Sequence, residues 1–165
     1  MEGIINTIMR KRIINQHSRD ILPISQEWLN LEHLAQLEFT SEDETHPIES
    51  ALTIGAGSGW RAAQAGKQTI RLLFADPQRI RRICLLFHED QQKRTQEFVL
   101  RWSSDRGQSY REIVRQQYTF SPPGTIREYE DYAVNLEGVT TLELSIVPDI
   151  GGAGALASLA QLRLA

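Results

Sequence analysis

The residue types best suited to binding chemistry lie between residues 42 and 61 of this 165-residue chain. The segment FTSEDETHPIES holds four carboxylates and a histidine within eight positions: Glu42, Asp43, Glu44, His46 and Glu49. Trp60 and Arg61 follow a glycine turn. A sugar site needs a flat aromatic face and fixed polar groups for hydroxyls. We therefore expect a ligand-binding site that includes Trp60, Arg61, His46 and Glu42.

Ordinary structural interpretations of these residues stay open. Trp60 could be a core residue beneath the glycine turn, with Arg61 paired to a nearby acid. The acidic segment could be a solvated loop made rigid by Pro47. Four further residues are candidates. Arg94 and Arg115, with glutamines close by in the sequence, could line a polar concave face on adjacent strands, and Arg94 could also reach the loop end. Tyr118 precedes a rigid turn and Asp149 stands at the entrance of a loop, where binding residues concentrate. Each of these could equally be an ordinary outward-facing residue.

The glycine turn itself, residues 55–59, begins like a dinucleotide-binding turn, and Asp76 follows 21 positions after Gly55. Such a turn needs a small residue at the third glycine of the G-x-G-x-x-G pattern, and a following helix that packs on the strand. Here Trp60 occupies that position, and the nine residues WRAAQAGKQ are too short for a crossover helix. No Gly-Lys-Ser/Thr follows, so a phosphate loop is also excluded. The sequence predicts no nucleotide cofactor.

Metal and nucleophilic chemistry have little support in the sequence. The four histidines show neither HxH nor HExxH spacing: His17, His33, His46 and His88. The single cysteine, Cys84, lies in the apolar run ICLLF, so a buried structural thiol is the favoured interpretation. No nucleophile is paired with a base by any recognised motif. We expect no metal, no cofactor and no enzyme activity.

Composition narrows the class of protein. The chain is 41% hydrophobic and 24% charged, with a net charge of -3, and nucleic-acid-binding domains usually carry a basic excess. The first 20 residues lack the pattern of a signal peptide, and no run approaches the ~20 apolar residues of a membrane span. The sequence predicts a soluble, cytoplasmic protein without a nucleic-acid partner.

Period-two alternation of apolar and polar residues dominates from residue 34 onward. It is clear in residues 35–39, 70–74, 83–87, 98–102, 132–136, 142–146 and 162–164. Turn-rich segments separate these runs, among them ADPQR, SDRGQS, SPPG, LEGV and PDIGGAG. Many short strands with one wet face predict an all-β, antiparallel sandwich or barrel. We place the sandwich at residues 34–165 and treat residues 1–33 as a short extension packed on or beside it.

The order of motifs resembles that of a known family. The stretch HPIESALTIGAGSGWRAAQAGKQTIRLLFADPQRIRRICLLF is similar to the opening of a discoidin, or F5/8 type C, domain of the galactose-binding-like superfamily. The segment SSDRGQSYREI resembles that family's Ser-x-Asp-Gly hairpin, at Ser103–Gly107 and closed by Tyr110. The ending LASLAQLRL resembles the family's final strand.

This resemblance implies an eight-stranded jelly-roll sandwich and a binding module, often for glycans and sometimes for phospholipid head groups, proteins or DNA-repair partners. Many relatives carry an Asp-Gly-Asp turn that contributes to a calcium site, whereas residues 53–57 here contain no carboxylate. We expect a non-catalytic module that binds carbohydrate through loops at one end. The alternative is an intracellular scaffold domain that binds a protein or a nucleic-acid-associated partner. The sequence does not fix the oligomeric state.

Overall fold

The computed structural model describes residues 28–55 and 57–165. Two short helices accompany eight strands, and their bounds are α1 (Leu31–Leu34), β1 (Ala35–Phe39), α2 (Glu49–Leu52), β2 (Trp60–Ala65), β3 (Gln68–His88), β4 (Arg94–Ser103), β5 (Arg111–Phe120), β6 (Arg127–Val147), β7 (Leu156–Leu159) and β8 (Gln161–Leu164). Every strand pairing within these residues is antiparallel. The predicted all-β antiparallel sandwich is confirmed. Residues 1–27 of the predicted extension lie outside the described residues.

Two long strands, β3 and β6, run through both layers of the sandwich. The first half of β3 and the second half of β6 lie in a sheet of order β1-β3-β6-β4-β5, here called the front sheet. The second half of β3 pairs with the first half of β6 and with β8, and these form the back sheet. The pair β2-β7 adjoins the back sheet, where the Ala160 amide donates to the Leu86 carbonyl at 2.8 Å.

The two long strands correct one feature of the sequence prediction. ADPQR and LEGV were expected to be turns between separate strands, but both lie inside continuous strands, at residues 75–79 and 136–139. The β3-β6 register shifts three times between Leu73 and Arg82, as expected of β-bulges that bend a strand pair. Because both strands bend together, their ladder continues from one sheet into the other.

The core follows from the alternation of side chains along these strands. Ile70, Leu72 and Phe74 point inward from the front half of β3, and the back half contributes alternating residues from Ile83 to Phe87. The rings of Phe87 and Phe98 stack with centroids 5.2 Å apart across the two layers. One core therefore holds both sheets together.

Most of the connections converge on one end of the sandwich, here called the loop end. They comprise residues 40–48, 89–93, 121–126 and 148–155. Backbone hydrogen bonds tie these loops together, with Glu89 donating to Ile126 at 2.8 Å and Ile150 donating to Thr95 at 2.8 Å. The bends of β3 and β6 and the β4-β5 turn lie at the opposite end.

Candidate binding site at the loop end

A tight turn at residues 43–46 fixes the orientation of His46. The His46 amide donates to the Asp43 carbonyl at 2.9 Å. Asp43 Oδ1 accepts from the amide and from the hydroxyl of Thr45, both at 2.9 Å. These hydrogen bonds, the backbone one first, lower the pKa of Asp43, and the charges of His46 and Arg61 act in the same direction. The acid stays ionised and holds the turn in place.

The same turn determines which imidazole nitrogen is available to a ligand. Thr45 Oγ1 lies 2.9 Å from His46 Nδ1 and uses its single proton on the Asp43 carboxylate, which can only accept. The hydroxyl must therefore accept from Nδ1–H. In neutral His46, Nε2 is then an acceptor without a hydrogen-bond partner among the described residues. It is suited to accept from a ligand hydroxyl.

Strand β2 brings Arg61 beside this turn. The Asp43 amide donates to the Arg61 carbonyl at 2.8 Å, and the Arg61 amide donates to the His46 carbonyl at 3.2 Å. Arg61 is exposed and pairs across the ladder with Ser158 of β7, whose hydroxyl is 3.5 Å from the carbonyl of His88. The structure thus brings together His46 and Arg61, both predicted, with His88 and Ser158, which the sequence analysis did not select.

Trp60 does not belong to the exposed part of this site. It is the first residue of β2 rather than a loop residue, its ring is only 1% exposed, and Nε1 donates to the Ser41 carbonyl at 3.1 Å. A buried ring offers no face to a sugar. The prediction that Trp60 stacks on a ligand is therefore wrong, and the core interpretation holds.

Glu42 supports the loop from within. Its Oε2 accepts from the backbone amide of Ile48 at 2.9 Å, and Ile48 is fully buried. This bond satisfies a donor where the chain enters α2. Glu42 therefore positions the segment that carries His46.

Arg94 lies at the loop end but is buried, with 3% exposure. Its Nε donates to Glu89 at 2.8 Å, its Nη1 donates to the Pro148 carbonyl at 2.8 Å, and its guanidinium lies 4.8 Å from the centroid of the Phe120 ring. Contact of Arg94 with a ligand is therefore excluded in this conformation. Its role is to fasten the loop that begins at Pro148.

The other three predicted residues have partners of their own. Asp149 Oδ1 accepts from the Gly151 amide at 3.0 Å, and the Tyr118 hydroxyl donates to the Arg127 carbonyl at 2.7 Å. Both residues fasten loops at the loop end. Arg115 lies in the middle of β5 on the outer face of the front sheet, where it bridges Glu97 and Glu112. It is not at the loop end.

Two exposed apolar side chains lie at the loop end or beside it. Leu156, opposite Ala65 in the β2-β7 ladder, is 39% exposed, and Ile150 in the adjoining loop is 51% exposed. Their sequence signal is weak, since both lie within or beside the glycine-rich segment 151–154. His88 had a clearer signal, because it continues the alternation of Ile83, Leu85 and Phe87 and must point outward at the end of β3.

Comparison with known proteins bears on the fold. No protein-family model and no curated protein matches the chain. Solved structures with a similar fold do match it. The family 32 carbohydrate-binding module of Clostridium perfringens NanJ, in complex with galactose, has a TM-score of 0.58 at 12% identity, over 83% of this chain and 96% of that one. The fold of this chain is thus similar to that of this carbohydrate-binding module.

Two further solved structures are similar to this chain. CpGH89CBM32-5 from Clostridium perfringens, in complex with GalNAc-β-1,3-galactose, has a TM-score of 0.60 at 18% identity, over 84% of this chain and 99% of that one. A pectin-binding carbohydrate-binding module has a TM-score of 0.58 at 14% identity, over 79% and 89%. The resemblance to galactose-binding-like domains that the sequence predicted is confirmed at the level of the fold.

The described residues contain no group of three or more acidic, histidine or cysteine side chains placed to hold a metal ion. Among the same residues, no helix is long and apolar enough to cross a bilayer. The arrangement at the loop end provides an imidazole acceptor, a guanidinium donor, a hydroxyl and an apolar border. These groups can bind a hydroxylated ligand.

Proposed function

We propose that the protein is a non-catalytic carbohydrate-binding module that holds a sugar at its loop end. The observation that carries this proposal is the pair of backbone hydrogen bonds that fixes His46 and Arg61 side by side. His46 Nε2 would accept from one sugar hydroxyl, and the Arg61 guanidinium would donate to a neighbouring oxygen. Leu156, in the same β2-β7 ladder as Arg61, would contact the apolar face of the ring.

Fold neighbours support this choice of ligand. The NanJ module and CpGH89CBM32-5 were solved with galactose and with GalNAc-β-1,3-galactose, and both have the same fold as this chain. The imidazole and guanidinium groups at the loop end of this rigid sandwich favour a sugar over a large apolar ligand. Galactose and GalNAc-β-1,3-galactose are therefore the first probes.

Ligand binding can be measured by thermal shift and calorimetry. A ligand at 100 times its dissociation constant should add about 2.7 kcal/mol to the free energy of unfolding. We expect Arg61→Ala to weaken binding about tenfold or more, because a hydrogen bond to a charged group contributes about 1.5–3 kcal/mol. His46→Ala should also weaken binding.

Arg79→Ala is the matched control, since Arg79 is exposed and lies in the bend of β3 at the opposite end. It should bind as the unaltered protein does. Equal loss in Arg79→Ala and Arg61→Ala would argue against a site at the loop end. No response of the unaltered protein to either sugar would contradict the proposal and favour the protein-binding alternative.

A further inference from the structure

A groove of about 880 Å³ lies on the outer face of the front sheet, away from the loop end. One wall comes from α1 and β1, with Glu32, Gln36 and Glu38, and the other from the β4-β5 turn. Its floor includes Arg71 and the backbone of β3 near Phe74. Small-molecule sites usually enclose about 300–1,000 Å³, so this groove has room for a ligand.

The groove crosses three strand intervals, from β1 over β3 and β6 towards β4. With strands about 4.8 Å apart, its length across the sheet is about 14 Å. That length suits an extended chain rather than a single small ion. A paired sheet makes the floor rigid, so the polar groups on it are held in place before a ligand arrives.

The two arginines of the groove differ in their partners. Arg71 forms two ion pairs, with Nε 2.8 Å from Glu143 and Nη1 3.4 Å from Glu38. Arg106 has no carboxylate within 4.0 Å among the residues that the structure describes. Its guanidinium instead donates to the carbonyls of Phe74 at 3.4 Å and Ala75 at 3.0 Å. It keeps its full charge and has donors left for a ligand.

The backbone holds Arg106 in an unusual conformation. Its φ of 58° is the only positive φ of a non-glycine residue in the described part of the chain. Its amide donates to Thr140 Oγ1 at 2.9 Å. Ser103 and Ser109 donate to Asp105, lower the pKa of Asp105 to about 2 and fasten the turn. Left-handed backbone at a non-glycine residue costs free energy, and it often marks a residue that a ligand requires.

Tyr110 follows the same turn, and its side chain lies between Gly107 and the groove. A Cβ at Gly107 would lie 2.9 Å from the Tyr110 hydroxyl, so the glycine leaves the space that this hydroxyl occupies. Tyr110 lines the groove with its hydroxyl group, and the exposed Gln36 adds an amide. The groove therefore offers one unpaired cation surrounded by uncharged hydrogen-bonding groups and two acids.

We propose that this groove is a second binding site, for an oligosaccharide that carries a carboxylate, with the carboxylate on Arg106 and the hydroxyls along Gln36, Tyr110 and Glu38. Glu38 lies opposite Arg71 in the β1-β3 ladder. Arg71 is three residues before Phe74 in β3, which places Glu38 about 10 Å along the strand direction from the carbonyl of Phe74 that Arg106 contacts. Sugar hydroxyls can donate to that acid while the ligand's own charge stays at Arg106. A phosphate chain, with several negative charges, would be repelled by Glu32 and Glu38.

The inference goes beyond the loop-end site, and its test separates the two. The probes are a trisaccharide of two galactose residues and one galacturonic acid, and the methyl ester of that trisaccharide, which differ in charge at the single carboxyl group. In an NMR titration of the full chain, the acidic trisaccharide should shift the backbone amide signals of Arg71, Arg106 and Tyr110. The methyl ester should bind about tenfold or more weakly, the loss expected for one charge-assisted hydrogen bond.

Arg106→Gly is the decisive variant, because glycine readily adopts the positive φ found there. It should bind the acidic trisaccharide about tenfold or more weakly while its melting temperature stays unchanged or rises. Arg106→Gln provides a second variant without the guanidinium. Arg163→Gln, on β8 of the back sheet, and Arg61→Ala, at the loop end, should both leave this binding intact.

Three outcomes would overturn the inference. The first is that neither probe shifts the groove signals. The second is equal affinity for the acid and its ester. The third is that Arg61→Ala, and not Arg106→Gly, abolishes binding, which would place the acidic ligand at the loop end. Failure of galactose to bind at the loop end would leave this test unaffected.

Discussion

Two neighbouring side chains at the start of β2 have opposite environments. The Trp60 ring is buried beneath the loop that begins at Ser41, whereas Arg61 is exposed beside His46. Alternation along a strand accounts for the difference, since successive side chains point to opposite faces. The residue that best resembled a sugar platform is thus part of the core, and its neighbour carries the polar chemistry.

Trp60→Ala is accordingly predicted to destabilise the fold. Removing a buried indole should lower the free energy of unfolding by about 3–5 kcal/mol, because a cavity remains and the Ser41 carbonyl loses its donor. Urea denaturation measures this change. Trp60→Phe should retain most of the stability by filling most of the volume. A loss below about 1 kcal/mol in Trp60→Ala would contradict the core assignment.

At the scale of elements, the short pair β2-β7 carries Arg61 and Ser158 into the candidate site. Close packing where the chain enters β2 makes this possible. Gly59 has a φ of 82°, and a Cβ there would lie 2.6 Å from the Leu159 carbonyl and 2.7 Å from the Ala160 Cα. Only glycine allows the two backbones to approach this closely.

Gly59→Ala should therefore lower the melting temperature more than Gly66→Ala does. Gly66 has a similar φ of 87° but nothing within 4 Å of its added Cβ. Both variants carry the cost of a left-handed alanine, about 1–2 kcal/mol, so the difference between them isolates the steric contact. Calorimetric melting of the two variants compares them directly. Equal losses would show that the close approach is of no consequence.

At the scale of the whole molecule, a buried acid lies between the sheets. Glu128 is 1% exposed, its Oε2 accepts from Gln96 at 3.1 Å, and its Oε1 has no hydrogen-bond partner among the described residues. Burial, together with Glu130 close by, raises the pKa of Glu128 to about 8, against the opposing effects of Gln96 and Arg94. The folded protein therefore favours the protonated acid.

This difference predicts a pH dependence of stability. The folded pKa lies above the ordinary value of 4.5, so the stabilising contribution is complete below pH 4.5 and is lost as the pH rises through about 8. The free energy of unfolding should fall across that window. Urea denaturation at a series of pH values measures it, and Glu128→Gln should flatten the curve. An unchanged slope in Glu128→Gln would assign the dependence to other groups.

The sequence by itself determined the class of fold. Period-two alternation is a local property, because each strand residue faces one side or the other whatever its partner is. The strands from Phe98 to Trp102 and from Leu142 to Ile146 were located in this way. Alternation cannot show whether two runs belong to one bent strand, so the continuity of β3 and β6 emerged only from their shared register.

The tertiary structure decided the candidate sites. His46 was selected from the polar segment that holds it, but its pairing with Arg61 depends on a hydrogen bond across 15 positions of chain. Ser158 and His88 join the site through β7. Burial removed Trp60 and Arg94, since exposure depends on what packs above a side chain rather than on its type. Arg106 lacked any signal in the sequence, because its free charge follows from where its neighbours' carboxylates lie.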